Sequence, residues 1–316
     1  MRGTAAIAVM LFHIGSLSRS NDLAPYGYVA VDLFFVMSGF VIGNAYERVL
    51  TKSLSWRKFM MIRAGRLYPS LFLGALVGIV ASPHASLATT WKQFFLIPSF
   101  ETSELFPLNP VFWSLFFEIF INAAHALAIR QLTTRRLAIF CALAGVSFLV
   151  ISYFNGGPGV GWGRSSFAAG FARVAWSYSA GLLIYRLHAG GRLPRMDFRW
   201  PVSAGIVAVL LLSPNFGLTF VQIPLMLFVA FPSLVAVSIQ YKAGPRLTSL
   251  FAWLGAISYP LYAIHLPILR MSDRIVGHAP FGWQWIMIGV AVIAIASAAE
   301  YFYDAPIRRY LRRALR

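Results

Sequence analysis

The chain is poor in cysteine, in acidic residues and in the motifs that mark the common soluble enzymes. Of its 316 residues one is cysteine, Cys141, and it sits in an apolar run. Internal disulfides and cysteine-only metal sites are therefore excluded. Asp and Glu number 10 against 27 Lys and Arg, and charged residues make up only 12% of the chain, against roughly 25% in a soluble globular domain. The six histidines are scattered singly. There is no HExxH, no Cys–His cluster, no GxSxG elbow and no Walker pattern, so a metal enzyme is unsupported. No spacer sets off a second domain, which predicts one integral-membrane domain over residues 1–316. The first apolar run ends in polar FHIGSLSRSND rather than in a small-residue cleavage site, so no cleavable leader is expected.

What fills the chain instead is apolar. Hydrophobic residues reach 59%, the mean hydropathy is +0.69, and there are 27 Phe, 9 Trp and 13 Tyr. This composition predicts an all-α, polytopic membrane protein. Ten apolar runs can be drawn, at residues 3–14, 26–46, 67–81, 109–127, 137–153, 166–185, 200–212, 218–239, 250–269 and 281–303. The first is short against the ~20 residues that span a bilayer. The longest connection, Ser82 to Leu108, contains WKQFFLIPSF, which reads as interfacial. The glycine-rich NGGPGVGWGR after run five lacks the phosphate-loop pattern and reads as a surface turn.

A net charge of +17 would fit nucleic acid, but its distribution argues for a membrane. Arg2; Arg48, Lys52, Arg57, Lys58, Arg63 and Arg66; Arg130, Arg135 and Arg136; Arg186, Arg192, Arg195 and Arg199; Lys242 and Arg246; and Arg308, Arg309, Arg312, Arg313 and Arg316 all fall on one side of a ten-span layout. Those are 21 of the 27 basic residues. The other side keeps chiefly Arg19, Lys92, Arg164, Arg270 and Arg274. The positive-inside bias then places both termini in the cytoplasm and excludes nucleic acid as the partner.

Polar residues inside the runs are the candidate functional groups, because ionisable side chains in hydrocarbon are costly unless they face a partner or a cavity. In NPVFWSLFFEIFINAAHAL, Ser114, Glu118 and Asn122 are spaced by four and His125 follows at three, so the four share one helical face. Glu118 is expected either to bridge to an arginine or to orient a histidine or substrate hydroxyl. Trp113 precedes it by five residues, and His125 reads as a boundary histidine. Asp32 and Ser38 lie in run two, where Gly39 and Gly43 give a small face for a neighbouring helix. His265 follows Tyr262 by one turn in SYPLYAIHLPIL, and Pro260 loosens that helix. Arg2 and His13 frame run one about 16 Å apart, too far for one hydrogen-bonded pair. Arg63 and Arg66, with Tyr68 behind them, form a two-pronged cationic face suited to phosphates, although composition alone favours a topology charge. Asp304-Ala305-Pro306 reads as a helix end.

Five segments in order resemble the membrane acyltransferase-3 family, which O-acetylates bacterial surface polysaccharides. They are RGTAAIAVMLFH (Arg2 to His13), VDLFFVMSGFVI (Val31 to Ile42), RAGRLYP (Arg63 to Pro69), FWSLFFE (Phe112 to Glu118) and ISYPLYAIH (Ile257 to His265). The resemblance runs nearly end to end. It implies ten core transmembrane helices in a bacterial inner membrane and an acyl-CoA, most simply acetyl-CoA, as cytoplasmic donor. It also implies His13 as a catalytic residue, with Glu118 or His265 orienting base or acceptor. Arg2, Arg63, Arg66 and Tyr68 are then the donor-binding set, and Asp32, Ser38, Trp113 and Tyr262 the acceptor side. The acceptor is expected to be a carbohydrate or lipid-linked glycan, no metal is expected, and a separate periplasmic partner fits the absence of a fused esterase-like domain. The chain begins at the family's first arginine without the usual few residues before it. The rival reading is a polytopic transporter or acyl-group conduit with no transferase step, which polar intramembrane residues fit equally on physical grounds.

Overall fold

The computed structural model describes residues 1–20, 23–193, 219–240 and 245–314. Among these the regular elements are helices, with one isolated antiparallel bridge between Glu104 and Gly163. In chain order they are α1 (Arg2–Leu17), α2 (Ala30–Lys52), α3 (Trp56–Ala81), α4 (Leu87–Phe94), α5 (Phe112–Ala128), α6 (Thr134–Phe154), α7 (Phe167–Ala189), α8 (Thr219–Leu225), α9 (Phe231–Ser238), α10 (Pro245–Ile275), α11 (Trp283–Ala299) and α12 (Ala305–Ala314). A π-helical turn, Met226–Ala230, joins α8 to α9, and another, Glu300–Asp304, joins α11 to α12.

Seven stretches of the described residues are long and apolar enough to cross a membrane, beginning at Gly27, Trp56, Thr134, Arg164, Val221, Thr248 and Trp283. Helices α1 and α5 are shorter apolar helices of 16 and 17 residues, roughly 24–26 Å at 1.5 Å per residue. The expected run at 200–212 lies outside the described residues. Many of the outward side chains are large and apolar, among them Val80, Leu143, Val146 and Met287, as a helix facing hydrocarbon requires.

Close packing is set by small residues, as expected at Gly39 and Gly43. A Cβ added at Gly39 would collide with the Tyr178 carbonyl, and one at Gly181 with the Val36 carbonyl. The α2 and α7 backbones therefore touch reciprocally, and this is the most extensive helix pair. Helix α10 packs on both α1 and α3. Pro267, inside α10, cannot donate to the carbonyl of Ala263 one turn back. Asn109 replaces that donor, with Nδ2 2.7 Å from the Ala263 oxygen and 3.3 Å from the Gly74 oxygen.

Two sequence expectations are corrected. Run three does not begin at Leu67. Helix α3 starts at Trp56, capped by Ser55, whose side chain accepts from the Lys58 amide at 3.3 Å. Arg63 and Arg66 therefore lie within a helix and not in a basic loop before it. Residues 304–306 do not end a helix either. The π-helical turn carries the chain into α12, and Asp304, fully buried, accepts from Ser70 Oγ at 2.6 Å and pairs with Arg308. Arg308 also bonds Glu300. An acid held by two partners has no reason to leave the helix for water.

Candidate active site

Helices α1 and α10 bring together two histidines that lie 252 residues apart in sequence. His13 Nδ1 is 2.9 Å from the Val9 carbonyl. A carbonyl can only accept, so His13 carries its proton on Nδ1. His265, fully buried, directs Nδ1 at the carbonyls of Leu261 (3.0 Å) and Tyr262 (2.9 Å) and is by the same reasoning protonated there. Its Nε2 is then a lone pair, and it lies 3.2 Å from His13 Nδ1. The His13 Nδ1 proton is shared between Val9 and His265, which leaves His13 Nε2 unprotonated. His13 lines a cavity of about 450 Å³ together with Tyr28, Trp113, Arg173 and Tyr262.

Glu118 belongs to a second cluster. Its Oε1 accepts from Arg63 Nη2 (2.9 Å), Ser38 Oγ (3.1 Å) and Tyr259 OH (3.2 Å). Of the two sequence readings, the bridge to an arginine is the one realised. Arg63 is 3% exposed, so its charge is spent on Glu118 inside the protein. Arg2 and Arg66 converge on the ring of Tyr259, at 5.6 and 5.9 Å from its centroid. Arg2, Ser114, Glu118, Tyr259 and Tyr262 line a small cavity of about 30 Å³. Tyr262 and Val31 line both this cavity and the larger one, and Tyr262 OH pairs with Ser114 Oγ at 2.7 Å. On the far side Arg66 opens, with Tyr46, Arg308 and Arg312, into a third cavity of about 250 Å³. Tyr68 does not join the arginines. It is part-exposed on the other side of α3, where its OH reaches the Phe94 carbonyl at 3.4 Å.

Asp32 is buried and fully engaged. Arg173 reaches both its oxygens, with contacts of 3.1, 3.1 and 2.6 Å, and Ser177 Oγ donates at 3.0 Å. A carboxylate so occupied does not open to a substrate; it holds Arg173 in place. Arg173 also donates to the Val160 carbonyl at 3.0 Å and stands 5.0 Å over the ring of Trp113. Sequence reasoning missed Arg173, although the signal was present. It is the one basic residue that the loop-by-loop charge count leaves over, because it lies inside an apolar run opposite an apolar-run aspartate. Glu104, Trp162 and Arg270 were also missed, as nothing in their spacing ties them to the motifs. His125 does sit in the last turn of α5, as expected, but it is buried, with Nδ1 2.7 Å from Tyr178 OH. Among the described residues no group of three or more His, Cys, Asp or Glu is placed to hold a metal ion.

A helical membrane protein with polar clusters gathered around internal cavities is the class that this architecture defines. The family model described as an acyltransferase domain matches residues 1–301, and the chain belongs to that acyltransferase-3 family. It is 25% identical to the exopolysaccharide production protein ExoZ of Rhizobium meliloti, over 81% of this chain and 80% of that one. It is 25% identical to the acyltransferase MdmB of Streptomyces mycarofaciens, over 95% of this chain and 85% of the relative. It is 24% identical to the peptidoglycan O-acetyltransferase OatA of Listeria monocytogenes, over 98% of this chain and 55% of that longer protein. No solved structure matches.

Proposed function

We propose that this protein is an O-acyltransferase of the bacterial cytoplasmic membrane that moves an acyl group, most simply acetyl, from cytoplasmic acyl-CoA to a hydroxyl of an exported or surface glycan. The observation that carries the reading is the His13–His265 pair. With Nδ1 bound to Val9 and His265, His13, a residue lining the large cavity, offers Nε2 as a base. His13 Nε2 takes the proton of the acceptor hydroxyl as its oxygen attacks the thioester carbonyl. The tetrahedral adduct collapses, the C–S bond breaks, and the departing thiolate recovers the proton from His13 as CoA–SH. His265 Nε2 accepts from His13 Nδ1 throughout and shares the charge of the transient imidazolium, the orienting role of the third member of a nucleophile–base–orienter set.

The donor reading rests on the arginines. Arg63 is neutralised by Glu118, so we assign it and Glu118, with Ser38, to holding α2, α3 and α5 together. Arg66 and Arg312 are the better phosphate ligands, with Arg308 beside them although it is shared with Glu300 and Asp304. Guanidinium forks suit phosphate oxygens. Arg2 and Tyr259 stand between this basic cavity and the small one that Tyr262 shares with His13. In this reading a pantetheine arm enters from the cytoplasm along that line, towards His13. In this reading the chain has ten spans with both termini cytoplasmic, forms one domain, and hands its product to the outer face, where a separate periplasmic protein can act. The names of ExoZ and OatA support a glycan acceptor.

The test is transfer by the purified chain in lipid nanodiscs, with radiolabelled acetyl-CoA and a bacterial glycan extract. Labelled ester in the glycan, absent with His13→Ala, is expected. Full activity in His13→Ala would remove His13 from the reaction, and binding of acetyl-CoA without any ester formed would favour a conduit.

A further inference from the structure

The mouth of the large cavity is built from residues outside the five motifs. Two loops contribute to it, one around Glu104 and one around Trp162. They are stitched together by the Leu105 amide on the Trp162 carbonyl (3.3 Å), the Arg164 amide on the Ser103 carbonyl (2.9 Å), and Arg164 Nη1 on the Phe100 carbonyl (3.0 Å). Gly161 has φ +101, and a Cβ there would also press on Gly170 and Trp113, so the turn that presents Trp162 depends on glycine. From α10, Arg270 grips Glu104 with both terminal nitrogens (2.7 and 3.3 Å) and also reaches the Pro107 carbonyl at 3.4 Å.

Three features of this mouth point to one ligand chemistry. Trp162 is half-exposed while its indole N–H is already bonded to the Gly159 carbonyl at 2.8 Å. It therefore has no polar need of its own and offers a fixed aromatic surface to whatever enters. Glu104 and Arg270 are partly open, the side chains 27% and 33% exposed, and their charges cancel. A carboxylate and a guanidinium side by side accept from and donate to hydroxyl groups, each of which both donates and accepts. They present no net charge to draw in an ion, and an anionic ligand would have to break the pair or lie against Glu104. The cavity, about 450 Å³, falls in the range of about 300–1,000 Å³ that encloses a small ligand, which suits a sugar unit rather than a long polymer segment.

We propose that Trp162, Glu104 and Arg270 form a subsite for an uncharged pyranose of the acceptor, stacked by its C–H face on the indole and hydrogen-bonded through its ring hydroxyls to the ion pair. The subsite selects neutral sugars over uronates and directs a hydroxyl inward to His13. This extends the acyltransferase reading, on which it rests for the identity of the ligand as an acceptor.

The test needs no acyl donor. Binding of cellotriose, maltotriose and chitotriose, with trigalacturonate as the anionic probe, is measured by calorimetry on the full chain in nanodiscs. At least one neutral trisaccharide is expected to bind and trigalacturonate is not. Trp162→Ala should weaken the neutral ligand about tenfold or more, a loss of about 1.4 kcal/mol. Trp162→Phe should restore most of it, and Glu104→Gln, which keeps the side chain's size, should weaken it several-fold. Two wild-type results would overturn the subsite: no neutral trisaccharide binds, or trigalacturonate binds as well. A Trp162→Ala protein that binds like wild type would do the same. Trp162-dependent binding without transfer from acetyl-CoA would leave the subsite standing and refute the donor.

Discussion

His265 Nε2 lies 3.2 Å from His13 Nδ1, and each ring is also bound through Nδ1 to a backbone carbonyl of its own helix. Backbone carbonyls on α10 hold the His265 tautomer, and His265 together with Val9 holds that of His13. The base is therefore set by two helices from opposite ends of the chain.

Removing either imidazole should cost activity unequally. His13→Ala is expected to lower kcat by about 10²–10⁴-fold, the usual worth of a general base, while acetyl-CoA still binds. His265→Ala leaves His13 in place but without its orienting acceptor, and a loss of about a hundredfold is expected. His265→Gln should recover part of it, because an amide oxygen can accept from His13 Nδ1. Steady-state kinetics with acetyl-CoA check the order of the three variants.

The Arg63–Glu118 pair makes a stability prediction. Truncating one partner of a buried ion pair strands the other charge and costs about 3–5 kcal/mol. Glu118→Ala should therefore lower the melting temperature in nanodiscs sharply. The double variant Arg63→Gln with Glu118→Gln should be less destabilised than the two single changes added together, because only the double variant leaves no unpaired charge. Strict additivity would show that the pair is not coupled.

Salt dependence tests the donor site. Arg66→Gln and Arg312→Gln should raise the acetyl-CoA KM about tenfold or more, with kcat changed far less. The wild-type KM should rise with ionic strength, since partly exposed phosphate pairing is screened over a Debye length of about 8–10 Å. Tyr68→Phe, which faces away from this cavity, should leave KM unaltered. A KM indifferent to Arg66, Arg312 and salt would move the phosphates elsewhere.

Two glycines should respond in opposite senses to alanine. At Gly39 the new Cβ meets the Tyr178 backbone, which cannot move without parting α2 from α7. A loss of about 1–3 kcal/mol is expected from such overpacking. At Gly255 a Cβ meets nothing within 4 Å, and removing glycine from a helix should add about 0.4–1 kcal/mol. Thermal unfolding of the two variants side by side checks both signs.

Much of this protein was legible from its residues because a membrane simplifies the code. With water absent, a span of long continuous apolar residues must be a helix and every buried charge needs a reason. Hydropathy alone thus indicated an all-α membrane protein, the spaced glycines announced a close helix contact without naming its partner, and Ser114, Glu118 and Asn122 did fall on one buried face. Helix ends were harder. Leu67 looked like a start because apolar character begins there, whereas the helix begins at the Ser55 cap and carries its arginines inward. Asp304-Ala305-Pro306 looked like a stop because proline breaks an α-helix, whereas a π-helical turn absorbs it.

Sequence by itself determined the class of protein, the family, and the side chains that demand partners, because those follow from composition and from short motifs. Only the tertiary structure decided who partners whom. Glu118 could have served His13 or an arginine, and it took Arg63; Asp32 could have faced a ligand, and it took Arg173; His13 took His265. Each choice joins residues about 55 to 252 positions apart. Pairing across such separations depends on the rotation and depth of each helix in the bundle, which packing sets and no local spacing encodes.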